Sequence, residues 1–365
     1  MAKKKDVKSR DYANVEVMID DIIKEHGEGS ISQGISTKHI HCDSIQTGAL
    51  NLDLAIGVGG VPRGRIIEIF GPYASGKTTL TLEIAAQAQK AGHIVAFVDV
   101  EHALDPVYAE AVGVDMSKVL FSQPDSAEQA LDIVEILCKS GKCALVVVDS
   151  VAALVPQAEL DGVMGQSHPG LQARLLGQAC RKLKGVVRQS NTSLIFINQI
   201  REKIGVMFGS PETTSGGKAL PYYASVRLDI RKIGTPKDGG VAISNATRVK
   251  VVKNKVGPPF RQAEFDIIFG HGINKIGCLL DKAADDNVVA KKGSNYYFNN
   301  VRLGSSRNLT CDFLRDNPEI VEEIRCKTLD GEVLPASTGF DAEEADTEAE
   351  EADTEAEEEM ITSSD

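Results

Sequence analysis

Residues 71–79 run Gly71, Pro72, Tyr73, Ala74, Ser75, Gly76, Lys77, Thr78, Thr79, with the apolar stretch "RIIEIF" (65–70) before them and the helix-forming "TTLTLEIAAQAQKAG" (78–92) after. A glycine-framed loop of this G-x-x-x-x-G-K-[ST] spacing between a strand and a helix has little conformational freedom. Its backbone N–H groups converge on an anion, and the helix beginning at its end adds the positive pole of its dipole. The pattern therefore predicts a phosphate cradle in an α/β protein, with Lys77 reaching the outer phosphates of a triphosphate and the Thr78 hydroxyl on Mg²⁺.

The rest of the chain supplies a sheet to carry such a loop. "HIVAFVDVE" (93–101), "ALVVVDS" (144–150) and "SLIFINQ" (193–199) are continuous apolar runs separated by helix-length segments, the mark of parallel strands buried on both faces. "SVRLDIRKI" (225–233), "TRVKVVKNK" (247–255) and "AEFDIIF" (263–269) alternate instead, with "KDGG" marking a turn, which predicts an antiparallel extension. The expected fold class is α/β: a P-loop NTPase core with a mostly parallel sheet and an antiparallel extension, a small N-terminal helix module and a small α/β C-terminal domain. The expected boundaries are 1–35 for the helix and oligomerisation segment, 36–270 for the ATPase core, 271–335 for the C-terminal module and 336–365 for a disordered acidic tail. Val15, Met18, Ile19, Ile22 and Ile23 form one stripe of the N-terminal helix, which should end at Gly27 and needs something to cover it.

Charge narrows the possible partners. The net charge of −12 looks hostile to nucleic acid, but residues 341–365 hold 13 acids and no Lys or Arg, leaving 39 acids against 40 bases elsewhere. Within that tail "EADTEAE" occurs twice in tandem, a low-complexity run that cannot bury enough apolar surface to fold. It reads either as a solvated spacer or as a polyanion mimic competing for a basic surface. The seven cysteines form no C-x-x-C pair and suit reduced, mostly buried thiols in a cytoplasmic protein. "MAKKKDVKSR" is not followed by an apolar run, and no window approaches the roughly 18 apolar residues of a membrane span, so no membrane association is expected.

In such a sheet ligands sit beyond the carboxyl ends of the strands, where each of the three runs delivers a polar residue. Asp149 follows the apolar "LVVV", and Mg²⁺ would compensate the cost of burying its carboxylate; a helix cap with Ser150 is the alternative. Glu101 is the candidate general base for the attacking water, with Asp99 close by in sequence. Gln199 carries an amide that would sense the γ-phosphate.

Six ordered stretches, "GPYASGKTTLTL", "VDVEHALDPVYA", "VVVDSVAALVP", "FINQIREKIGVMFGSPETTSGGKAL", "YASVRLDIR" and "RVKVVKNK", resemble the bacterial RecA family of homologous-recombination ATPases, over about residues 10 to 330. The resemblance implies a DNA-dependent ATPase that forms a helical filament on single-stranded DNA, pairs it with homologous duplex DNA and stimulates self-cleavage of a LexA-type repressor. It would work in the cytoplasm on the nucleoid. Segment 200–218 is too long and too rich in Gly, Ser and Thr for an ordinary connection, yet carries Ile204 and Phe208. By resemblance it lines the DNA channel with Arg201, Ile204, Phe208, Gly216 and Gly217, while residues 159–174 lead into a helix bearing Arg174 and Arg181 as the other wall. The resemblance also places Asp105 and Tyr108 at the adenine. It sends Lys253 and Lys255 across a subunit boundary to the neighbour's γ-phosphate, the alternative being two solvated strand lysines. A translocating helicase-type motor, or a scaffold in which ATP only switches DNA binding, are alternative outputs of the same core.

Overall fold

The computed structural model describes residues 14–27, 30–31, 42–202, 211–238 and 240–329. The chain divides into two compact units, Met1–Cys42 and Asp43–Asp365. In the first, α1 (Val15–His26) is capped by the Asn14 side chain, which accepts the Val17 N–H, and it ends at Gly27 with φ +90°. It buries none of its residues.

The second unit opens with β1 (Ser44–Ile45), α2 (Leu50–Ile56) and β2 (Val61–Pro62), followed by β3 (Ile66–Gly71), α3 (Lys77–Lys90), β4 (Ile94–Asp99) and α4 (Pro106–Val112). Then come β5 (Val119–Ser122), α5 (Ala127–Lys139), β6 (Cys143–Asp149), α6 (Gln157–Leu160), α7 (Leu171–Ser190), β7 (Ser193–Glu202), β8 (Glu212–Thr214) and α8 (Ala219–Tyr223). The extension is β9 (Val226–Gly234), β10 (Lys237–Asp238), β11 (Val241–Ala242), β12 (Ser244–Asn254), β13 (Gln262–Ile268) and β14 (Gly272–Ile273). The chain continues through α9 (Lys275–Asp285), β15 (Ala290–Lys292), β16 (Asn295–Phe298), β17 (Val301–Gly304), α10 (Arg307–Arg315) and α11 (Pro318–Leu329).

The main sheet runs β14-β13-β12-β9-β3-β7-β6-β4-β5, with β8 paired to β7. From β9 to β5 neighbouring strands are parallel; β12, β13 and β14 pair antiparallel. Burial explains why the parallel strands read as unbroken apolar runs. Ile67, Ile69, Val95, Phe97, Leu145, Val147, Ile195 and Ile197 pack with α2, α3 and α4. Their alternates Ile66, Ala96, Val98, Val146, Val148, Leu194 and Phe196 pack with α5, α7 and α8. The extension has a single apolar face, Val226, Leu228 and Ile230 with Val249, Val251, Phe265 and Ile267, so its sequence alternates. A third cluster built on Leu280, Val289, Phe298 and Leu314 forms the core of the C-terminal module.

Two details depart from the sequence reading. β9 is antiparallel only toward β12 and lies parallel to β3, so the switch of direction falls one strand later than the change of pattern suggests. Segment 200–218 is also not loop throughout: β7 continues to Glu202 and pairs with β8, Ile200 opposite Thr214 and Arg201 opposite Thr213. The β-branched Ile200, Thr213 and Thr214 favour that ladder. Residues 203–210, with Ile204 and Phe208, lie outside the described residues, as does the acidic tail.

Cys138 and Cys180 are buried thiols, and burial pushes both up to about 12, which makes them inert. Among the described residues no helix is long and apolar enough to cross a membrane.

Candidate nucleotide and nucleic-acid site

The carboxyl ends of the parallel strands open into a cavity of about 660 Å³, lined on one side by Tyr73 to Thr79. The loop holds its shape because side chains are absent at its two ends. A Cβ at Gly71 would collide with the Ile230 carbonyl, and Gly76 sits at φ +93° with the Ile267 side chain where its Cβ would be. The Ser75 hydroxyl, buried inside the loop, has no hydrogen-bond partner. An orphaned donor in a glycine cradle at the start of α3 is what a phosphate oxygen would satisfy. Lys77 Nζ spans the loop, donating to the Gly71 and Pro72 carbonyls at 3.3 and 2.7 Å, and burial lowers its pKa against the opposing pull of Asp149 and Glu101.

Asp149, the last residue of β6, accepts a 2.9 Å hydrogen bond from the Thr78 hydroxyl. Burial lifts its pKa to about 6, with Glu101 and Asp99 adding to the rise. A hydroxyl and a carboxylate in contact at the mouth of a phosphate cradle form an oxygen pair suited to Mg²⁺, which takes few protein ligands and keeps water and phosphate oxygens for the rest. No cluster of three or more acidic, His or Cys side chains able to hold a metal occurs among the described residues.

Glu101 lies two residues beyond β4. Its Oε1 accepts from the Ser150 hydroxyl at 2.9 Å and from Gln199 Nε2 at 2.5 Å, so the candidate base and the candidate γ-phosphate sensor are in direct contact. Gln199 pairs with Gly71 in the parallel register and is therefore level with the start of the phosphate loop. Asp99 is used otherwise: its carboxylate accepts the Ala103 and Leu104 N–H groups and Gln123 Nε2.

At the far end of the cavity the Tyr108 hydroxyl lies 2.9 Å from Thr79 Oγ1, and burial raises its pKa. Asp105 does not line the cavity; its carboxylate caps α4 by accepting the Val107 N–H. Sequence reading missed Asn245, Ile267, Phe269 and Gly270, which complete this end. They come from β12, β13 and the turn that follows β13, far along the chain, and no local motif marks them. Asn245, which lines the cavity, has its Oδ1 buried without a hydrogen-bond partner.

The nucleic-acid candidates gather around α7. Arg174 and Arg181 are on that helix, and Arg201 is on the β7 extension with its Nε 3.4 Å from Ser215 Oγ. Gly216 and Gly217 bring the returning segment onto α7: with φ of +78° and +77°, a Cβ at the first would meet Leu176 and Val151, at the second Ala173. Lys253 and Lys255 are elsewhere. Lys253 is opposite Arg227, itself level with Glu68, and the Lys255 N–H reaches Ser225, whose own N–H bonds to Ile66. At about 3.3 Å per residue the two lysines stand roughly 10 and 16 Å back from Gly71 along the strands, away from this chain's own cavity. Lys253 Nζ donates to the Pro221 and Tyr222 carbonyls of α8, and burial, with Lys255 and Arg227 nearby, lowers its pKa.

The sequence is similar to those of known proteins. The RecA N-terminal domain family model matches residues 13–274 and the RecA C-terminal domain model residues 277–330. Protein RecA of Clostridioides difficile (strain 630) is 58% identical over 303 residues, 83% of this chain and 87% of its own. Protein RecA of Geobacter metallireducens is 56% identical over 326 residues, 89% of this chain and 96% of its own. A solved structure of the RadB recombinase is similar over 63% of this chain and 98% of its own, at 26% identity and a TM-score of 0.48. Matched by both domain models and alike to the two RecA proteins across more than four-fifths of its length, the chain belongs to the RecA family.

Proposed function

We propose that the chain is a recombinase of DNA recombination and repair that hydrolyses ATP with Mg²⁺, assembles as a filament on single-stranded DNA, and pairs that strand with homologous duplex DNA. Recombination and repair follow from family membership; the remaining assignments are inferences from the site. Residues 36–270 would act as ATPase core, 1–35 as the oligomerisation segment, 271–335 as an accessory module and the tail as a charged appendage. The same filament would stimulate a LexA-type repressor to cleave itself, in the cytoplasm on the nucleoid.

One observation carries the reading. Gln199 is level with Gly71, touches Glu101, and continues through the same strand into the segment proposed to hold DNA. A γ-phosphate drawing the Gln199 amide away would release the Glu101 carboxylate to orient water and would shift β7 and its hairpin partner at the same time. Mg²⁺ held by Thr78 and Asp149 would neutralise charge on the phosphate oxygens, and Ser75, Lys77 and Thr79 would bind them. Tyr108 would pack against the base, with Asp105 supporting α4 beneath it. Arg174, Arg181, Arg201 and the 203–210 segment would hold DNA through phosphates and base faces, without reading sequence. Because Lys253 and Lys255 lie away from this chain's cavity, they would serve a neighbour's, and a head-to-tail contact of that kind extends into a helix.

The test is ATP hydrolysis with single-stranded against duplex DNA, alongside joint-molecule formation with matched and unmatched duplex. Hydrolysis stimulated by single strands together with homology-dependent joints is expected. Unwinding of duplex without homology would point to a helicase motor, and DNA binding without joints to a scaffold.

A further inference from the structure

In the middle of β3, within a sheet whose covered faces are mostly apolar, stands Glu68, fully buried. Neither the phosphate cradle nor the DNA segment uses it, and a carboxylate in such a place is costly unless each oxygen is matched. Both are. Oε1 accepts Asn198 Nδ2 at 2.9 Å, and Oε2 accepts Arg227 Nε at 2.5 Å.

The two partners lead in opposite directions. Asn198 Nδ2 also donates to the Ser215 carbonyl at 3.1 Å, and Asn198 Oδ1 accepts the Gln199 N–H at 2.9 Å, so one amide ties Glu68 to the strand of Gln199 and to the return of the candidate DNA segment. On the other side Arg227 faces Lys253 across the β9–β12 ladder, and its guanidinium lies 4.5 Å over the ring of Phe70, the residue before Gly71. Lys253 is in turn held on the α8 carbonyls.

We infer that Glu68 is a positioning residue that links the two half-sites of one subunit: the Gln199 end that meets its own nucleotide, and the Lys253 end offered to its neighbour. The inference rests on the proposed reading of Lys253 as acting in trans. A displacement of Asn198 with Gln199 must either carry Glu68 along or break a buried hydrogen bond, and Glu68 in turn carries Arg227, which borders Lys253. Each subunit's nucleotide state is thereby passed to the next site along the assembly, and ATP response becomes steep.

The test is the ATP dependence of DNA-stimulated hydrolysis in the full chain carrying E68Q, R227Q or both. Asn198 cannot turn its amide to suit a glutamine, because its Oδ1 is committed to Gln199. E68Q should bind a fluorescent ATP analogue within about threefold of the parent while its Hill coefficient falls to about 1. R227Q should do the same, and the double variant should lose no more than either, since both cut one link. A purely structural Glu68 would lower the melting temperature and leave the shape of the ATP curve intact; that outcome overturns the inference, as does a parent Hill coefficient of 1. If the Arg227 charge left unmatched in E68Q unfolds the chain, the double variant decides alone, and cooperative hydrolysis by it is the refuting result. Mixing K77R with K253A chains separates the two ideas: no rescue in co-assembled chains refutes the shared site itself, whereas rescue combined with a cooperative E68Q refutes only the link.

Discussion

At the scale of single residues the site depends on which polar atoms are already satisfied. Glu101 accepts from both Ser150 and Gln199, and a glutamine in its place keeps an oxygen acceptor for them. Glu101→Gln should therefore fold and bind nucleotide normally while hydrolysis slows by about 10²-fold or more, measured as single-turnover rate against nucleotide affinity. A buried carboxylate, Asp53, has its pKa raised by burial to about 7 despite hydrogen bonds from the Thr47 hydroxyl and N–H. The folded chain keeps that proton at pH values where an unfolded chain, near the ordinary 3.8, has lost it. Stability from this group is thus fully present at low pH and falls as pH rises toward 7, by at most about 1.4 kcal/mol per unit. Asp53→Asn retains an oxygen for both Thr47 donors and should flatten the change of melting temperature between pH 5 and 8; an unchanged slope would remove Asp53 as its source.

At the scale of elements, one strand connects the candidate nucleotide site to the segment proposed to hold DNA. β7 is buried as far as Asn198, then emerges through Gln199 and Ile200 into the exposed Arg201 and Glu202, so one strand joins the core to the hairpin proposed to hold DNA. The return leg is seated on α7 by Gly216, whose Cβ position lies 2.6 Å from Leu176 Cδ2 and 2.9 Å from Val151 Cγ1. Gly216→Ala adds both that collision and a φ of +78° unfavourable to L-residues, a cost of about 1–3 kcal/mol. Single-strand affinity should drop by about tenfold or more, while nucleotide binding without DNA is preserved. Titrations of labelled oligonucleotide and of nucleotide in parallel would check this, equal losses in both pointing instead to general unfolding.

At the scale of the whole molecule, the sheet holds the two proposed half-sites apart. Lys77 is at the carboxyl end of the parallel strands, Lys253 and Lys255 toward the amino end, with β9 between β3 and β12. Lys77→Arg and Lys253→Ala should each be nearly inactive alone. In an equal mixture about a quarter of head-to-tail contacts join an intact Lys77 to a neighbour's intact Lys253, and hydrolysis on single-stranded DNA should recover toward that fraction. High activity of Lys253→Ala by itself would place the essential groups in one chain.

Much of this was legible from sequence because it is local. Nine contiguous residues suffice to build a phosphate nest, and the change from continuous to alternating apolar runs records whether a strand is covered on two faces or one, which is how the parallel core and its extension were distinguishable before any coordinates. The polar residue ending each run followed from the same logic, since strand ends are where a parallel sheet stops covering its side chains. Only the tertiary structure decided that Gln199 lies on Glu101, that Asn245 and Phe269 close the cavity, and that Glu68 finds Arg227 rather than a helix face. Those contacts depend on the order β12-β9-β3-β7-β6-β4 and on register between strands that are mostly distant in the chain, and no local periodicity encodes which strand lies beside which.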